Sequence, residues 1–306
     1  MIGMPPHLEP HDDRFAGLVH PMSRLVQIAD GMSWTEGPVW FGDHECLLFS
    51  DIPSQRIMRW SKADGLSVFR AGTEFTNGNT RDRDGRLVSC RHGKRDVVRT
   101  EIDGTLTVLA STFEDKPLNS PNDVVVSADG AIWFTDPTYG IISNFEGYRA
   151  APSQSTRNVY RLSPDGQLTA VVTDFTQPNG LCFSPDEKTL YIAESGSSHD
   201  PDVPSIIRQF AVEGDRLKDK GVFARIDTGL PDGMRCDAQG NLWSSAGDGV
   251  HCFGSDGVLL GKIIIPQVVS NLCFGGTHGH QMFITATTSV YSVFVDTKGA
   301  EPWTRG

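Results

Sequence analysis

The chain has 306 residues, of which 38% are hydrophobic and 21% are charged, and its formal net charge is -11 at pH 7. This length can bury the core of one closed all-β domain, so we predict a single domain over residues 1–306. The negative charge argues against nucleic acid or an anionic membrane as a partner, because both attract an excess of Lys and Arg.

Residues 1–24 lie outside the repeats that follow and are predicted to form an N-terminal arm that wraps the fold or is partly disordered. They contain no apolar stretch of the kind that a secretory signal requires, so we expect a cytoplasmic protein. The strand-like segment 24–28 is expected to pair with the C-terminal run 289–296 and close the fold. The six cysteines occur singly in apolar runs, which favours buried free thiols over disulfides.

Six similar units follow the arm. Each begins with a polar residue, continues into a short apolar run, turns at a Gly-containing dipeptide and ends in further apolar runs. Dipeptides such as Asp-Gly between apolar runs are the strongest short-range signal of a β-hairpin. The polar residues that begin the units are Glu36, Asn79, Asn122, Asn179, Asp232 and Asn271.

The spacing of these positions predicts the fold. Successive positions are 43, 43, 57, 53 and 39 residues apart. Four short strands with their turns need roughly 40 to 50 residues, which is the length of one propeller blade. Helical periodicity is nearly absent. We therefore predict an all-β fold, a six-bladed β-propeller with a central metal site, in which the first strand of every unit faces the axis.

The third and fourth units are longer than the others, which indicates two insertions. They run from 136 to about 157 and from 195 to 204. Both follow the second strand of a unit, so both are expected on the face where the first strands begin, above the axial site. Tyr139, Phe145 and Tyr148 in the first insertion are candidates for substrate contact.

Oxygen-bearing side chains at the start of the units indicate a metal site. Glu36, Asn122, Asn179 and Asp232 would bring two carboxylates and two amide oxygens to one axis, and these are hard ligands suited to Ca²⁺, Mg²⁺ or Mn²⁺. One Asn or Asp beside Pro or Gly often only shapes a turn. Four aligned positions favour a site over turn formation.

Several segments resemble a known enzyme family, in order and with similar spacing. Over most of residues 30–295 the chain is similar to the gluconolactonase, senescence-marker-protein (regucalcin) and luciferin-regenerating-enzyme family, and most of all to bacterial gluconolactonases. Paraoxonases and diisopropyl fluorophosphatase resemble it more distantly. The segments are TEGPVW (35–40), GNTRDRDGRLVSC (78–90), SPNDVVVSADGAIWFTDPTYG (120–140), PNGLCFSPDEKTLYIAE (178–194) and LPDGMRCDAQGNLW (230–243).

The resemblance implies a six-bladed β-propeller that binds one divalent cation, with Ca²⁺ as the first choice and Zn²⁺, Mg²⁺ or Mn²⁺ as alternatives. It implies that Glu36, Asn179 and Asp232 are metal ligands and that Asn122 is a substrate contact or outer ligand. Animal members carry Arg where this chain has Ser120, so sugar recognition is expected to differ there. The predicted substrate-binding residues are Asn122, Ser120, Asp123 and Tyr139.

The implied reaction is hydrolysis of a sugar lactone, in which a metal-polarised carbonyl is attacked by water. Asp232 and Asn122 are the predicted catalytic residues, with Asp232 as the general base and Asp123 as its reserve. Asp136 and Glu194 are further candidates unless they are solvated loop carboxylates.

Three alternatives stay open from the sequence. The same site could serve a metal-dependent phosphotriesterase or an aryl-esterase, or the chain could be a non-catalytic propeller that binds metal. Two histidines, His92 and His199, stand near the expected site, although a lone His is more often packed than catalytic. The expected partner is a small sugar lactone, and the expected assembly is a monomer or a weak homodimer.

Overall fold

The computed structural model describes residues 4–301 and confirms the predicted all-β fold, with 51% strand and 5% helix. Six antiparallel sheets form the blades of a β-propeller. Two strands precede blade 1: β1 (Leu8–Pro10) lies in the N-terminal arm and β2 (Val26–Ala29) follows the arm. A short hairpin joins blades 2 and 3. Within the described residues, no helix has the length and apolar character needed to cross a bilayer.

The remaining strands follow in chain order. Blades 1 and 2 contain β3 (Thr35–Phe41), β4 (Cys46–Asp51), β5 (Arg56–Ser61), β6 (Gly65–Ala71), β7 (Thr76–Arg81), β8 (Leu87–Arg91), β9 (Asp96–Thr100) and β10 (Leu106–Ala110). The hairpin and blade 3 contain β11 (Thr112–Phe113), β12 (Lys116–Pro117), β13 (Val124–Val126), β14 (Ile132–Asp136), β15 (Arg157–Leu162) and β16 (Leu168–Phe175).

Blades 4 to 6 complete the ring. They contain β17 (Pro178–Phe183), β18 (Thr189–Glu194), β19 (Ile206–Glu213), β20 (Arg216–Arg225), β21 (Met234–Cys236), β22 (Leu242–Ser245), β23 (Gly249–Phe253), β24 (Leu259–Ile264), β25 (Val269–Gly275), β26 (Gln281–Ala286) and β27 (Ser289–Phe294). The helical segments are α1 (Tyr139–Ile142) and three 3-10 turns at Asp13–Gly17, Gly42–His44 and Gly196–Ser198.

The first strand of each blade lies innermost and the last lies outermost. In blade 1, β3 is buried along its whole length, whereas β6 is largely exposed. Each first strand contacts the first strand of the next blade, and β25 of blade 6 contacts β3 of blade 1. The propeller is therefore a closed ring.

The ring is closed by β2, in agreement with the pairing predicted for segment 24–28. β2 pairs antiparallel with β27, with Val26 opposite Ser292 and Ala29 opposite Val290. β2 is thus the outer strand of blade 6, and the two ends of the chain meet in one sheet. The pairing of β2 with β27 therefore joins the start of the chain to the last blade and closes the ring.

The arm wraps blade 5. β1 adds to β24 as a fifth strand. Phe15 is fully buried, and its ring centroid lies 6.2 Å from that of Trp243. The arm thus contacts the outer strand of blade 5, and residues 1–3, which the prediction also covered, lie outside the described part.

The hydrophobic core lies between the blades. The described residues form six buried apolar clusters, and each cluster spans one junction between adjacent blades. At the junction of blades 3 and 4, for example, Trp133 packs with Leu181 and Phe210. All six cysteines are free and buried, as predicted. Since packing joins each blade to its neighbours, the ring holds the inner strands in fixed positions around the axis.

Candidate functional site

The first strands bring one residue from each blade to the same layer around the axis, which we call the axial layer. At four junctions between blades, the residue after the axial residue is a glycine that lies against the axial residue of the next blade. Either a Cβ added to the glycine would overlap the carbonyl oxygen of that residue, or the N–H of the glycine donates to it. These pairs are Gly37 with Asn77, Gly78 with Asn122, Gly180 with Asp232 and Gly233 with Ser270. The axial layer consists of Glu36, Asn77, Asn122, Asn179, Asp232 and Ser270.

The structure corrects two positions that the sequence alignment placed in this layer. Asn77 occupies it instead of Asn79, and Ser270 occupies it instead of Asn271. The side chain of Asn79 donates from Nδ2 to the carbonyl oxygen of Gly37 at 3.0 Å and so ties blade 2 to blade 1. One-residue bulges interrupt the first strands of blades 1, 2, 4 and 6 at this point. A bulge changes which side chain faces the axis.

The three predicted metal ligands lie together in the axial layer. Glu36 and Asn179 are each 4% exposed, whereas Asp232 is partly exposed. Burial, together with the nearby charge of Asp123, raises the pKa of Glu36 to about 8. Burial and then the charge of Glu36 raise the pKa of Asp232 well above its usual value. The two carboxyl groups are therefore close enough to repel each other when both are ionised.

This donor set fits a hard divalent cation. Oδ1 of Asn179 is buried and has no hydrogen-bond partner. Among residues 4–301, neither Glu36 nor Asp232 has a Lys, Arg or His partner within ion-pair distance. Two neighbouring carboxylates without a countercharge, one buried and one partly exposed, beside an unpartnered amide oxygen, are the ligands that Ca²⁺ and similar ions prefer.

Asn122 presents a free amide in the same layer. Its backbone is fixed on both sides, because its N–H donates to the carbonyl of Thr135 and its carbonyl accepts from the N–H of Gly78, each at 2.8 Å. The residue is 5% exposed. Its side chain makes no hydrogen bond with any other residue that the structure describes, so the amide is available to a ligand.

Asp123 lies one residue further along the strand, beneath the axial layer. It is 2% exposed, and its Oδ2 lies 3.9 Å from Nη1 of Arg235. Burial raises the pKa of Asp123, and the charge of Arg235 opposes that rise. Asn271, also beneath the layer, donates from Nδ2 to Oε2 of Glu36 at 3.1 Å. These groups support the site from below.

The two insertions meet above the site, and two predicted substrate-binding residues hold them. Ser120 is fully buried, donates to the carbonyl of Pro137 at 2.7 Å and accepts from the N–H of Gly140 at 3.1 Å. Its hydroxyl is thus engaged by backbone. The hydroxyl of Tyr139 lies 3.0 Å from Oγ of Ser198, which joins the first insertion to the second.

Asp136 and Glu194 are not solvated loop carboxylates. Asp136 is fully buried and accepts the N–H of Asn119 at 2.8 Å. Glu194 is 6% exposed and accepts the N–H groups of Thr176 and Gly196 at 2.7 Å and 2.9 Å. Both carboxylates therefore fasten the loops that enter the first strands, and neither lies in the axial layer.

Two further residues of the site were not predicted. Glu146 of the first insertion is partly exposed, burial raises its pKa to about 7, and its charge raises the pKa of Glu36 and of Asp232. Glu146 therefore faces these carboxylates from the first insertion, which we call the covering loop. No local sequence pattern predicts this position of Glu146. The other is Asn77, which the Asn-Gly dipeptide shared with Asn179 could have revealed.

His92 is packed, as a lone histidine usually is. It is fully buried, and burial lowers its pKa to about 4. Its Nδ1 lies 2.9 Å from the carbonyl oxygen of Glu146 and its Nε2 lies 3.2 Å from Nδ2 of Asn77. The ring connects the covering loop to the axial layer.

A separate cluster also contains potential metal ligands. Ligand atoms of Asp227, Asp248 and His251 lie within 4.8 Å of one another. Nζ of Lys262 already lies 2.9 Å from Asp227 and 3.0 Å from Asp248. Because an ammonium group neutralises these carboxylates, we interpret the cluster as an ion-pair network.

Comparison with known proteins gives a consistent result. The family model described as SMP-30/Gluconolactonase/LRE-like region matches residues 34–288. A gluconolactonase of Zymomonas mobilis is 34% identical over 314 residues, covering 94% of this chain and 85% of the relative. A pentonolactonase of Haloferax volcanii is 28% identical, covering 82% and 80%. The solved structure of a gluconolactonase of Xanthomonas campestris has a TM-score of 0.88 at 38% identity, covering 94% of each chain.

Proposed function

Because the chain belongs to the SMP-30/gluconolactonase/LRE-like family, we propose that it is a metal-dependent lactone hydrolase that converts an aldonolactone to the aldonic acid. The observation that carries the proposal is the pair of carboxyl groups formed by the buried Glu36 and the partly exposed Asp232, beside the unpartnered Oδ1 of Asn179. This arrangement is costly in an empty site, and a divalent cation would relieve it. Relatives named as gluconolactonase and pentonolactonase support the lactone as substrate class.

In this proposal Glu36, Asn179 and Asp232 hold one divalent cation, with Ca²⁺ as the first choice and Zn²⁺, Mg²⁺ or Mn²⁺ as alternatives. A cation held there would polarise the lactone carbonyl and stabilise the negative charge that develops on its oxygen.

The chain's own residues supply the rest of the chemistry. Asp232 is the partly exposed member of the ligand set, so a carboxylate oxygen can reach a water and accept its proton. The free amide of Asn122 can donate a hydrogen bond to the substrate or to that water. Tyr139 would border the bound lactone. Ser120 would affect lactone binding indirectly, by holding the covering loop in place. Asp123 would affect it through the effect of its charge on Glu36.

The test is lactone turnover with and without metal. We expect the purified protein to hydrolyse glucono-δ-lactone, to lose this activity in EDTA and to regain it when Ca²⁺, Mg²⁺, Mn²⁺ or Zn²⁺ is returned. Asp232→Asn should lower kcat/KM by at least about a hundredfold, since it removes a proposed ligand and base. The matched control is Asp248→Asn in the ion-pair network, which should keep metal-dependent turnover.

Two outcomes would contradict the proposal. One is hydrolysis that EDTA does not change. The other is turnover of paraoxon or p-nitrophenyl acetate without turnover of any lactone, which would favour the phosphotriesterase or aryl-esterase alternative. The cytoplasmic location and the monomeric or weakly dimeric state stay predictions from the sequence.

A further inference from the structure

The proposed mechanism leaves two polar side chains of the axial layer unused, Ser270, whose hydroxyl donates to the carbonyl of Thr35 at 2.7 Å, and Asn77. Asn77 stands on β7 and is 4% exposed. Its Oδ1 is buried and has no hydrogen-bond partner. A buried acceptor without a partner is destabilising, so such groups usually mark a place for a ligand or a water.

The orientation of this amide follows from His92. The carbonyl oxygen of Glu146, 2.9 Å from Nδ1 of His92, can only accept a hydrogen bond, so Nδ1 carries the proton. In the neutral ring Nε2 is then an acceptor, and Nδ2 of Asn77 at 3.2 Å is its donor. Oδ1 of Asn77 therefore faces away from the imidazole.

The imidazole cannot easily turn to another position. His92 is fully buried, and a Cβ at Gly140 would overlap its side chain, so the covering loop lies directly against the ring. The carbonyl group that fixes Nδ1 belongs to the same loop. His92 and the covering loop thus fix the side chain of Asn77 so that its Oδ1 remains available as an acceptor.

We propose that Asn77 determines substrate specificity by accepting a hydrogen bond from a hydroxyl group of the lactone, and that His92 is its positioning residue. The inference rests on the proposed function. Blade 2, which carries Asn77, lies opposite blade 5, which carries Asp232, in the ring of six blades. A fixed acceptor on this side suits a hydroxyl of a polyhydroxylated ring, and a lactone without hydroxyls would leave Oδ1 unpaired.

The test compares two lactones with the same ring. Glucono-δ-lactone carries hydroxyl groups and δ-valerolactone carries none. In Asn77→Ala, kcat/KM for glucono-δ-lactone should fall by about 10- to 100-fold, the loss of one hydrogen bond in a site built for a hydroxyl, while kcat/KM for δ-valerolactone stays within about threefold. Bound metal, measured by elemental analysis, should stay at the wild-type level.

His92 is tested by two substitutions. His92→Phe fills the space but offers no acceptor, so it should lower the preference for glucono-δ-lactone as Asn77→Ala does. His92→Gln offers an amide oxygen to Nδ2 of Asn77 and should restore part of the preference. The matched control is Asn79→Ala, which lies on the same strand with its amide engaged by protein. It should lower the melting temperature without changing the ratio of kcat/KM for the two lactones.

Each other outcome has a definite meaning. If Asn77→Ala left the ratio of kcat/KM for the two lactones unchanged, whether both values fell equally or neither fell, the inference would be overturned while the hydrolase proposal stayed intact. Loss of bound metal in Asn77→Ala would overturn it by making Asn77 a metal ligand. Failure of the wild-type protein to hydrolyse either lactone would defeat the proposed function, and the inference with it.

Discussion

Residues of the axial layer share one strand position but differ in what surrounds them, and this difference separates their roles. Glu36 is a buried acid whose pKa rises to about 8 because burial and the charge of Asp123 disfavour its ionised form. A positive charge beside this carboxyl group would favour its ionised form. Asn122 carries no charge, and its amide is available to a substrate. The same ring can thus provide metal binding on one side and substrate contact on another.

This division predicts different outcomes for two substitutions. Asn122→Ala should keep bound metal near the wild-type level and lower kcat/KM for glucono-δ-lactone by roughly 10- to 100-fold, because one hydrogen bond to the substrate or the water is lost. Glu36→Gln should strip the metal, because a ligand charge is lost. Elemental analysis beside steady-state kinetics measures both. An empty site in Asn122→Ala would instead make Asn122 a metal ligand.

At this scale the sequence predicts residues that carry a local signature. Glu36, Asn179 and Asp232 each precede a glycine, and each faces the axis as expected. Asn77 was missed because Asn79, two residues further along β7, was taken as the axial residue of blade 2, although Asn77 shares the Asn-Gly dipeptide of Asn179. Glu146 was missed because its place depends on how an irregular loop folds back over the ring, and no periodic pattern encodes that path.

At the scale of elements, glycines let the inner strands approach closely enough to form the site. Gly180 on β17 lies between two proposed ligands, Asn179 in its own strand and Asp232 in the next blade. A Cβ at Gly180 would overlap the carbonyl oxygen of Asp232. Since Gly180 and Asp232 belong to blades 4 and 5, which pack tightly against each other, the overlap can be relieved only by separating the inner strands of these two blades.

Gly180→Ala should therefore lower both stability and cation affinity. We expect a loss of about 1–3 kcal/mol in the free energy of unfolding, as for other overpacked positions, and a weaker affinity for Ca²⁺ because the ligands move apart. Gly17→Ala is the matched control, since an added Cβ there meets no atom within 4 Å. Chemical denaturation and calorimetric titration measure the two effects. Wild-type values in Gly180→Ala would show that the strands can yield without cost.

The insertions show the limit of sequence reasoning for elements. Their length and position predicted that they would cover the first-strand face, and the contact between Tyr139 and Ser198 lies between them. The interactions that fix the loops were not predictable, because they join residues far apart in sequence. Asp136 and Glu194, for example, were expected to be solvated or catalytic and instead bind loop N–H groups.

At the scale of the whole molecule, packing between neighbouring blades makes the ring a single structural unit. Six apolar clusters join neighbouring blades, so no blade has a core of its own. The proposed metal ligands come from blades 1, 4 and 5, and their separation depends on every junction in the ring. Closure by β2 and β27 is therefore a condition for the geometry of the site as well as for stability. The repeat length predicted this closed ring because a fixed period allows few other folds.

Removing the closing strand should consequently affect the entire protein. A chain that lacks residues 1–30 loses β2, leaves β27 as an open edge and exposes the junction of blades 6 and 1. We expect its melting temperature to fall by roughly 10 °C or more, since each kcal/mol shifts Tm by about 2–4 °C in a protein of this size, and we expect aggregation through the free edge. A chain that lacks residues 1–12 loses β1 and the cap that Asp12 provides to the following 3-10 turn but keeps β2, so its melting temperature should fall by less. Calorimetry with light scattering measures both, and the wild-type chain should unfold in one transition because its blades share their cores. Equal stability of the two truncated chains would show that β2 is not needed to hold the ring closed.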